Sequence, residues 1–379
     1  MTPAGEMKAK GPANIRDVAR LAKVSPGTVS KVLNNLPGIA VQTRERVLRA
    51  SEELDYRPNR LVRGIFGRRS FTVGLLTSDS YGRFSGPIMA GAEDALGQGQ
   101  LSVIMCDSRG DGGRERAHLE ALLERRIDGL IVTGRCSNPR PPVAANLPFP
   151  VVYAHTPSSD PGDLSITVDD ANAGRLAAQH FVEVGRRKIA HVTGPWDFAA
   201  VRKRAQGLTE VLDEHGLSRV GEIRSGYWCE SWGREAAKAL LAENPDLDAI
   251  FCGSDLLARG VADALREAGC AVPDDVAIVG TDNWRLVAEA TRPPLTTVDL
   301  NLATVGRRSA QALVRAIDGE AASGQLAVPA SLVVRRSSGV PYAEAGIPAP
   351  GRYHESCIHG ATAEPDMVPL AGTSNPVKQ

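Results

Sequence analysis

The chain has 379 residues, of which 42% are hydrophobic and 23% charged, a composition typical of a globular protein with two or three domains. Its 44 basic and 44 acidic residues cancel, but residues 1–69 contain 14 basic and 6 acidic ones, a net charge of +8, which leaves −8 for the remainder. No run approaches the roughly 18 apolar residues of a membrane span, residues 1–20 lack the apolar core of a secretion signal, and the six cysteines form no CxxC pair. These features exclude membrane proteins and disulfide-rich secreted proteins, and they predict a cytoplasmic protein whose basic head binds a polyanion.

Short helical patterns follow a polar arm at residues 1–13 and predict a helical domain over residues 14–58. Apolar residues recur at helical spacing in three segments, Ile15–Ala22, Val29–Leu33 and Thr43–Leu54. Ser25 is suited to cap the second helix, with Pro26 at the first helical position, where its missing N–H costs nothing. Helices this short bury little alone, so they are expected to pack as one unit.

The body of the chain, residues 70–340, follows a basic connector at 59–69 and alternates apolar runs with amphipathic segments. The predicted strands are Thr72–Leu76, Leu101–Cys106, Leu130–Val132, Val151–Ala154, Ile189–Val192, Ala249–Phe251 and Val276–Val279. The predicted helices are Pro87–Leu96, Arg114–Arg125, Ala171–Gly185, Arg202–His215, Trp232–Ala242, Leu256–Ala268 and Leu302–Ile317. This alternation predicts two lobes with doubly wound parallel sheets, and the Pro- and Gly-rich tail at 341–379 is predicted to be disordered.

The second predicted helix has one apolar face and one small, polar face. Val29, Val32 and Leu33 are expected to face the domain core, while hydroxyls on the other side can bond phosphate oxygens and Lys31 can reach guanine acceptors. A helix, a three-residue turn and a second helix suit insertion into the major groove of DNA. The alternative is an ordinary helical hairpin with a solvated polar face.

Motifs of the common enzyme classes are missing from the sequence, which contains no GxSxG, P-loop or HExxH pattern. His354, Cys357 and His359 form an HxxCxH cluster, but three ligands on a tail predicted to be disordered make a poor metal site. We therefore predict no catalytic residues, no metal and no cofactor.

The segment IRDVARLAKVSPGTVSKVLNN resembles the lactose/galactose repressor (LacI/GalR) family of bacterial transcriptional regulators. The resemblance continues in the family's order through GRFSGPIMAGAEDAL, ERRIDGLIV, VDDANAGRLAAQHFVEVGRRKIAHVTGP, AVPDDVAIVGTDN and RPPLTTVDLN, and it covers residues 14–340. It implies an N-terminal all-α helix-turn-helix domain and an α/β core of two lobes, like that of periplasmic binding proteins. It also implies a small effector bound between the lobes.

By that resemblance, bases are read from the positions of Pro26, Gly27 and Lys31, and the connector forms a hinge helix in the minor groove. Asn59 matches the usual start of that hinge. Ile65 stands where the family usually has a wedging leucine, and the neighbouring Gly64 is a poor helix residue. The DNA-binding residues implied are Ser25, Pro26, Gly27, Thr28, Ser30, Lys31, Asn34, Asn59 and Ile65.

The resemblance also places effector contacts on loops that follow strands of the body. These residues are Tyr81, Phe84, His155, Arg204, Trp228, Ser254 and Asp282. Flat rings at Phe84 and Trp228 can stack on a sugar, and charged groups can bond its hydroxyls. His155 stands where many relatives carry aspartate. We expect a sugar or another small polyhydroxylated or heterocyclic effector.

The function predicted from the sequence is a repressor that binds a near-palindromic operator as a homodimer or higher homo-oligomer under effector control, without a membrane partner. The alternatives are an activator of the same family, or a solute-binding protein that does not bind DNA. An enzyme with an incidental basic head fits less well, because of the charge and the connector sequence of residues 1–69.

Overall fold

The computed structural model describes residues 13–33, 37–56, 69–98 and 101–339. These residues divide into two compact units. Unit 1 comprises the described residues up to Ala173 together with Trp196–Arg204 and Leu300–Ser331. Unit 2 comprises Gly174–Pro195, Ala205–Asp299 and the described residues from Leu332 onward. No helix within these ranges is long and apolar enough to cross a bilayer.

The N-terminal part of the chain folds into three helices, α1 (Ile15–Ala22), α2 (Pro26–Leu33) and α3 (Val41–Glu53). Asn14 begins α1 with a capping box. Its side chain accepts a backbone N–H of the first turn, and the Asp17 carboxylate accepts the backbone N–H of Asn14. The helices pack around a small apolar core formed by Val18, Ala19, Ala22, Val29, Val32, Val47 and Ala50. The three helices predicted from the sequence are therefore present, and they pack together as expected.

Unit 1 is built on a six-stranded sheet in the order β11-β5-β4-β3-β1-β2, with every neighbouring pair parallel. Its strands are β1 (Thr72–Thr77), β2 (Ser102–Asp107), β3 (Gly129–Thr133), β4 (Val151–Ala154), β5 (Leu164–Val168) and β11 (Gly324–Val328). Its helices are α4 (Ser85–Gln98), α5 (Gly112–Glu124) and α11 (Leu302–Ile317). Strands β1, β3, β4 and β5 are almost entirely buried, as expected for parallel strands covered on both faces.

The second sheet is also six-stranded, in the order β12-β10-β9-β8-β6-β7. Its strands are β6 (Ile189–Thr193), β7 (Arg224–Ser225), β8 (Ala249–Cys252), β9 (Ala277–Thr281), β10 (Thr296–Asp299) and β12 (Ser331–Val333). The remaining helices are α6 (Asp170–Glu183), α7 (Ala199–Glu214), α8 (Glu230–Glu243), α9 (Asp255–Glu267) and the short α10 (Arg285–Ala288). The chain ends its described part with a 3₁₀ turn at Arg336–Ser338.

Every strand and helix predicted from the sequence is present, and Val151–Ala154 and Leu302–Ile317 have the predicted bounds. Five strands, β5, β7, β10, β11 and β12, and the short helix α10 were not predicted from the sequence. Two of the missed strands, β5 and β10, contain serine or threonine at buried positions, such as Ser165, Thr296 and Thr297. Such segments look polar in the sequence, but their hydroxyls are hydrogen-bonded inside the fold.

Glycines allow two helix pairs to approach backbone to backbone. A Cβ on Gly91 of α4 would overlap the carbonyl oxygen of Ala303 in α11, and a Cβ on Gly306 of α11 would overlap that of Ile88. In unit 2, Gly233 of α8 lies in the same way against Leu257 of α9. Helix packing in both units therefore depends on the absence of a side chain at these contacts.

We expect Gly91→Ala to reduce the free energy of unfolding by at least about 2 kcal/mol, because the new methyl group meets rigid backbone. Gly97→Ala is a matched control on the same helix, since a Cβ there has no neighbour within 4 Å. That control should be neutral or stabilising by up to about 1 kcal/mol. Urea unfolding of the two variants tests the difference, and equal stabilities would contradict the close approach of α4 and α11.

Candidate functional site

Helix α2 presents small and polar residues on its outer face. Ser25, Pro26, Gly27 and Lys31 are exposed, and Thr28 and Ser30 are half-buried, whereas Val29 and Val32 are buried in the core of the helical domain. This confirms the orientation predicted from the helical period. The small residues at the start of α2 allow another molecule to come close to the helix backbone, and Lys31 adds one long cationic side chain.

The hydroxyls at the start of α2 organise the helix end. The Thr28 N–H donates to Ser25 Oγ at 3.1 Å, and the two hydroxyls of these residues share a bond of 2.9 Å. Ser25 thus caps α2 as predicted. Arg44 of α3 donates to the Val32 carbonyl at 3.4 Å and ties α3 to the last turn of α2. The predicted contacts at Asn34, Asn59 and Ile65 lie outside the described residues.

In unit 1, a buried carboxylate positions the loop that follows β1. Asp79 is 6% exposed, and its Oδ2 accepts the backbone N–H groups of Phe84 at 2.7 Å and Ser85 at 2.9 Å, as well as the Ser85 hydroxyl at 3.1 Å. These bonds fix the start of α4 and the orientation of Phe84. Asp79 was not predicted from the sequence, since its partners lie on a loop whose shape only the fold defines.

Phe84 and His155 form a stacked pair at the carboxyl ends of β1 and β4. Their ring centroids are 5.0 Å apart with planes inclined by 18°, and the Arg83 guanidinium lies 5.1 Å from the Phe84 centroid. His155 has a φ of +66° and donates its backbone N–H to Ile166 of β5 at 2.8 Å. The fold therefore brings together two residues that the sequence analysis assigned to one site.

The imidazole of His155 is neutral near pH 7. The side chain is 2% exposed, and neither ring nitrogen has a hydrogen-bond partner among the described residues. Burial lowers the pKa of His155 from 6.5 to about 4, against a smaller opposing effect of the Asp170 carboxylate. One ring nitrogen of such an imidazole is a donor and the other is an acceptor.

Arg204, predicted to contact an effector, forms a buried ion pair with Asp170. Its Nε and Nη2 donate to Asp170 Oδ1 at 2.9 and 2.7 Å, and Asp170 Oδ2 accepts the Ser137 hydroxyl at 2.9 Å. Both charged side chains are at most 5% exposed. Loss of either partner would leave an uncompensated buried charge, so Arg204 has a structural role besides any contact with a ligand. Asp170 and Ser137 were missed from the sequence.

In unit 2, three predicted residues follow the carboxyl ends of β7, β8 and β9. The half-buried Trp228 packs against Gly194, where a Cβ would overlap the indole ring. Ser254 is fully buried and caps α9 by accepting the Leu257 N–H at 3.3 Å, so its hydroxyl already serves the helix. Asp282 is half-buried with a φ of +106°.

Tyr81 differs from the other predicted residues because its side chain is 99% exposed. It lies in the loop between β1 and α4, before the positive-φ residue Gly82.

Within the described ranges, no group of three or more histidine, cysteine, aspartate or glutamate side chains is arranged to hold a metal ion.

Comparison with protein families matches two parts of the chain. Residues 14–59 match the model described as bacterial regulatory proteins, lacI family, and residues 178–338 match a periplasmic binding protein-like domain. The chain is 32% identical over 311 residues to the HTH-type transcriptional repressor PurR of Aliivibrio salmonicida, with 80% of this chain and 92% of that protein covered. It is 35% identical over 331 residues to the HTH-type transcriptional regulator CelR of Thermobifida fusca, with 84% and 96% covered.

Solved structures show the same architecture. A complex of the transcriptional regulator CelR with cellobiose matches with a TM-score of 0.60 and 31% identity, over 86% of this chain and 100% of that one. The lac repressor dimer bound to operator and the anti-inducer ONPF matches with a TM-score of 0.70 and 28% identity, over 87% and 100%. The fold class predicted from the sequence, a helix-turn-helix domain with two parallel-sheet lobes, is confirmed.

The buried His155 predicts a specific pH dependence of stability. Its pKa is about 4 in the folded protein and near 6.5 in the unfolded chain, so the unfolded chain binds more protons between these values. The stability present above pH 6.5 is therefore lost as the pH falls toward 4. Between pH 6.5 and 5, the wild type should lose about 1–2 kcal/mol more than His155→Phe, as measured by urea unfolding. Parallel stability curves for the two proteins would contradict a buried neutral imidazole.

Proposed function

The chain belongs to the lacI family of bacterial regulatory proteins and is a DNA-binding transcriptional regulator, and we propose that it is a repressor whose operator affinity is set by an uncharged carbohydrate effector. The DNA is contacted by the outer face of α2, with Lys31 as its long hydrogen-bond donor. A cytoplasmic location follows from this role, because the operator is chromosomal DNA.

The DNA-bound species is proposed to be a homodimer on a near-palindromic operator. Each helical domain is small, with a core around Val18, Val29 and Val47, and it presents one short recognition helix. Two copies are therefore needed to read the two half-sites of a palindrome. The lac repressor, which this chain resembles, has been solved as a dimer bound to operator. The contacts assigned to Asn59 and Ile65 are part of this proposal.

The observation that carries the effector proposal is the stacked pair of Phe84 and His155. A buried neutral imidazole with one donor and one acceptor matches a hydroxyl group, which both donates and accepts. The Phe84 ring stacked on the imidazole surrounds these nitrogens with apolar surface, of the kind against which the C–H groups of a sugar pack. The similar regulator CelR has been solved with cellobiose.

The charged groups that act on His155 are two carboxylates, Asp79 and Asp170, and two guanidiniums, Arg83 and Arg204, so their charges balance and favour an uncharged ligand. The Arg204 guanidinium is neutralised by Asp170, and the Asp79 carboxylate accepts three donors of its own loop. Neither charge therefore depends on a ligand of opposite sign. Trp228 and Asp282 of unit 2 are proposed as further effector contacts.

A binding screen with the full-length protein tests the effector class. The compounds are cellobiose, glucose, ribose, glucose 6-phosphate, gluconate, hypoxanthine and guanine, followed by differential scanning calorimetry and operator-binding assays. A neutral sugar at 100 times its dissociation constant should stabilise the protein by about 2.7 kcal/mol and change operator affinity. His155→Phe keeps the stacked ring but removes both ring nitrogens, and it should weaken sugar binding at least tenfold. Preference for an anionic sugar or a purine would contradict the proposal.

Operator recognition is tested separately by selecting sites from a random DNA library. On the selected site, Lys31→Ala should cost about 1–3 kcal/mol of binding free energy and relax the preference at one base position. Arg49→Ala is the matched control, because it removes an exposed charge of α3 rather than of α2, and its loss should be equal on all sequences. Uniform losses for both variants would show that Lys31 reads no base, and failure to select any site would overturn the regulator assignment.

A further inference from the structure

The segment Asp282–Trp284 of unit 2, which follows β9, is held at each of its backbone N–H groups. Asp282 donates to the Val298 carbonyl at 2.8 Å, Asn283 to Thr297 Oγ1 at 3.3 Å, and Trp284 to Asp255 Oδ2 at 2.7 Å. Asp282 and Asn283 both have positive φ values, +106° and +49°. A non-glycine residue keeps such a backbone conformation only where its surroundings impose it.

Arg335 clamps the side chain at the centre of this segment. Its Nη2 donates to Asn283 Oδ1 at 2.8 Å and its Nη1 to the Leu295 carbonyl at 2.9 Å, while Asn283 Nδ2 donates to Asp299 Oδ2 at 2.9 Å. Arg335 is only 7% exposed. The Asn283 amide is therefore held from both ends, and it cannot rotate without breaking a bond to a charged group.

The arginine is itself firmly anchored by the turn that follows it. Its backbone N–H donates to Thr296 Oγ1 at 2.9 Å. The Ser337 hydroxyl donates to the Ile278 carbonyl of β9 at 2.7 Å and accepts the Thr296 N–H at 2.8 Å. Ser337 and Ser338 are completely buried. The guanidinium is thus mounted on the same two strands, β9 and β10, that flank the segment it clamps.

We propose that Arg335 is a positioning residue for effector binding, which orients the Asp282 carboxylate by clamping Asn283. The proposal rests on the assignment of Asp282 to the effector site in the proposed function. Asp282 is adjacent to Asn283 in the chain. Without the clamp, the backbone of both residues can leave its positive-φ conformation, and the Asp282 carboxylate then loses its fixed position. Arg335 lies far along the chain from Asp282 and has no place among the effector contacts predicted from the sequence.

Amide hydrogen exchange of the full-length protein tests the clamp without any ligand. In Arg335→Gln, the amides of residues 282–284 should exchange at least tenfold faster, while those of β8 stay as in the wild type. Arg186→Gln is the matched control, since Arg186 also donates to carbonyls of unit 2, those of Pro273 and Asp274, and it should leave residues 282–284 unchanged. Unchanged exchange in Arg335→Gln, or faster exchange throughout unit 2, would overturn the proposal.

Isothermal titration with cellobiose connects the clamp to binding. Arg335→Gln should raise the dissociation constant at least tenfold, and Arg186→Gln should not. Asn283→Ala removes the other half of the clamp, so it should have the same effect, and the double variant should be no worse than either single one. Equal cellobiose affinity in a variant with faster exchange would overturn the link to the effector. If the wild-type protein binds neither cellobiose, glucose nor ribose, that result counts against the proposed effector class, and hydrogen exchange still decides the role of Arg335.

Discussion

Carboxylates buried near the ends of parallel strands determine how the loops of this protein are arranged. Asp79, Asp170 and Asp255 are at most 6% exposed. A carboxylate removed from water must find hydrogen-bond donors or a positive charge, or it destabilises the fold. Each finds them on a different element: Asp79 on the start of α4, Asp170 on Arg204 and Ser137, and Asp255 on Trp284 and Thr297. The loops that carry the candidate effector contacts are therefore organised around negative charge that is already satisfied.

This arrangement affects what the site can recognise. Because Arg204 is engaged by Asp170, it does not present the uncompensated positive charge that would favour a phosphate or carboxylate ligand. The neutral imidazole of His155 and the apolar Phe84 ring stacked on it are better suited to hydroxyl groups and the C–H groups of a sugar ring. In unit 2, polar groups are again held by partners inside the fold. Arg335 donates to Asn283, which is adjacent to Asp282 in the chain.

The strands and helices were mostly predictable because hydrophobic periodicity is a local signal. The segment VVYA was assigned to its observed bounds, and so was the long helix from Leu302 to Ile317. The segment TTVD of β10 was not, because the sequence does not show that both threonine hydroxyls find partners inside the fold. The close approach of α4 and α11 at Gly91 could not be predicted either, since the sequence around a helical glycine does not indicate which helix packs against it.

The sequence by itself determined the exposed face of α2, since helical spacing places Val29 and Val32 on one side and Lys31 on the other. Its similarity to one family also identified the strand-end loops that carry the candidate effector contacts. Only the tertiary structure decided which partner each polar group takes there. It joined Arg204 to Asp170, committed Ser254 to the start of α9 and brought Arg335 to Asn283. The Arg204 and Arg335 bonds join residues 34 and 52 positions apart, so their formation depends on the paths of the strands between them and not on any spacing along the chain.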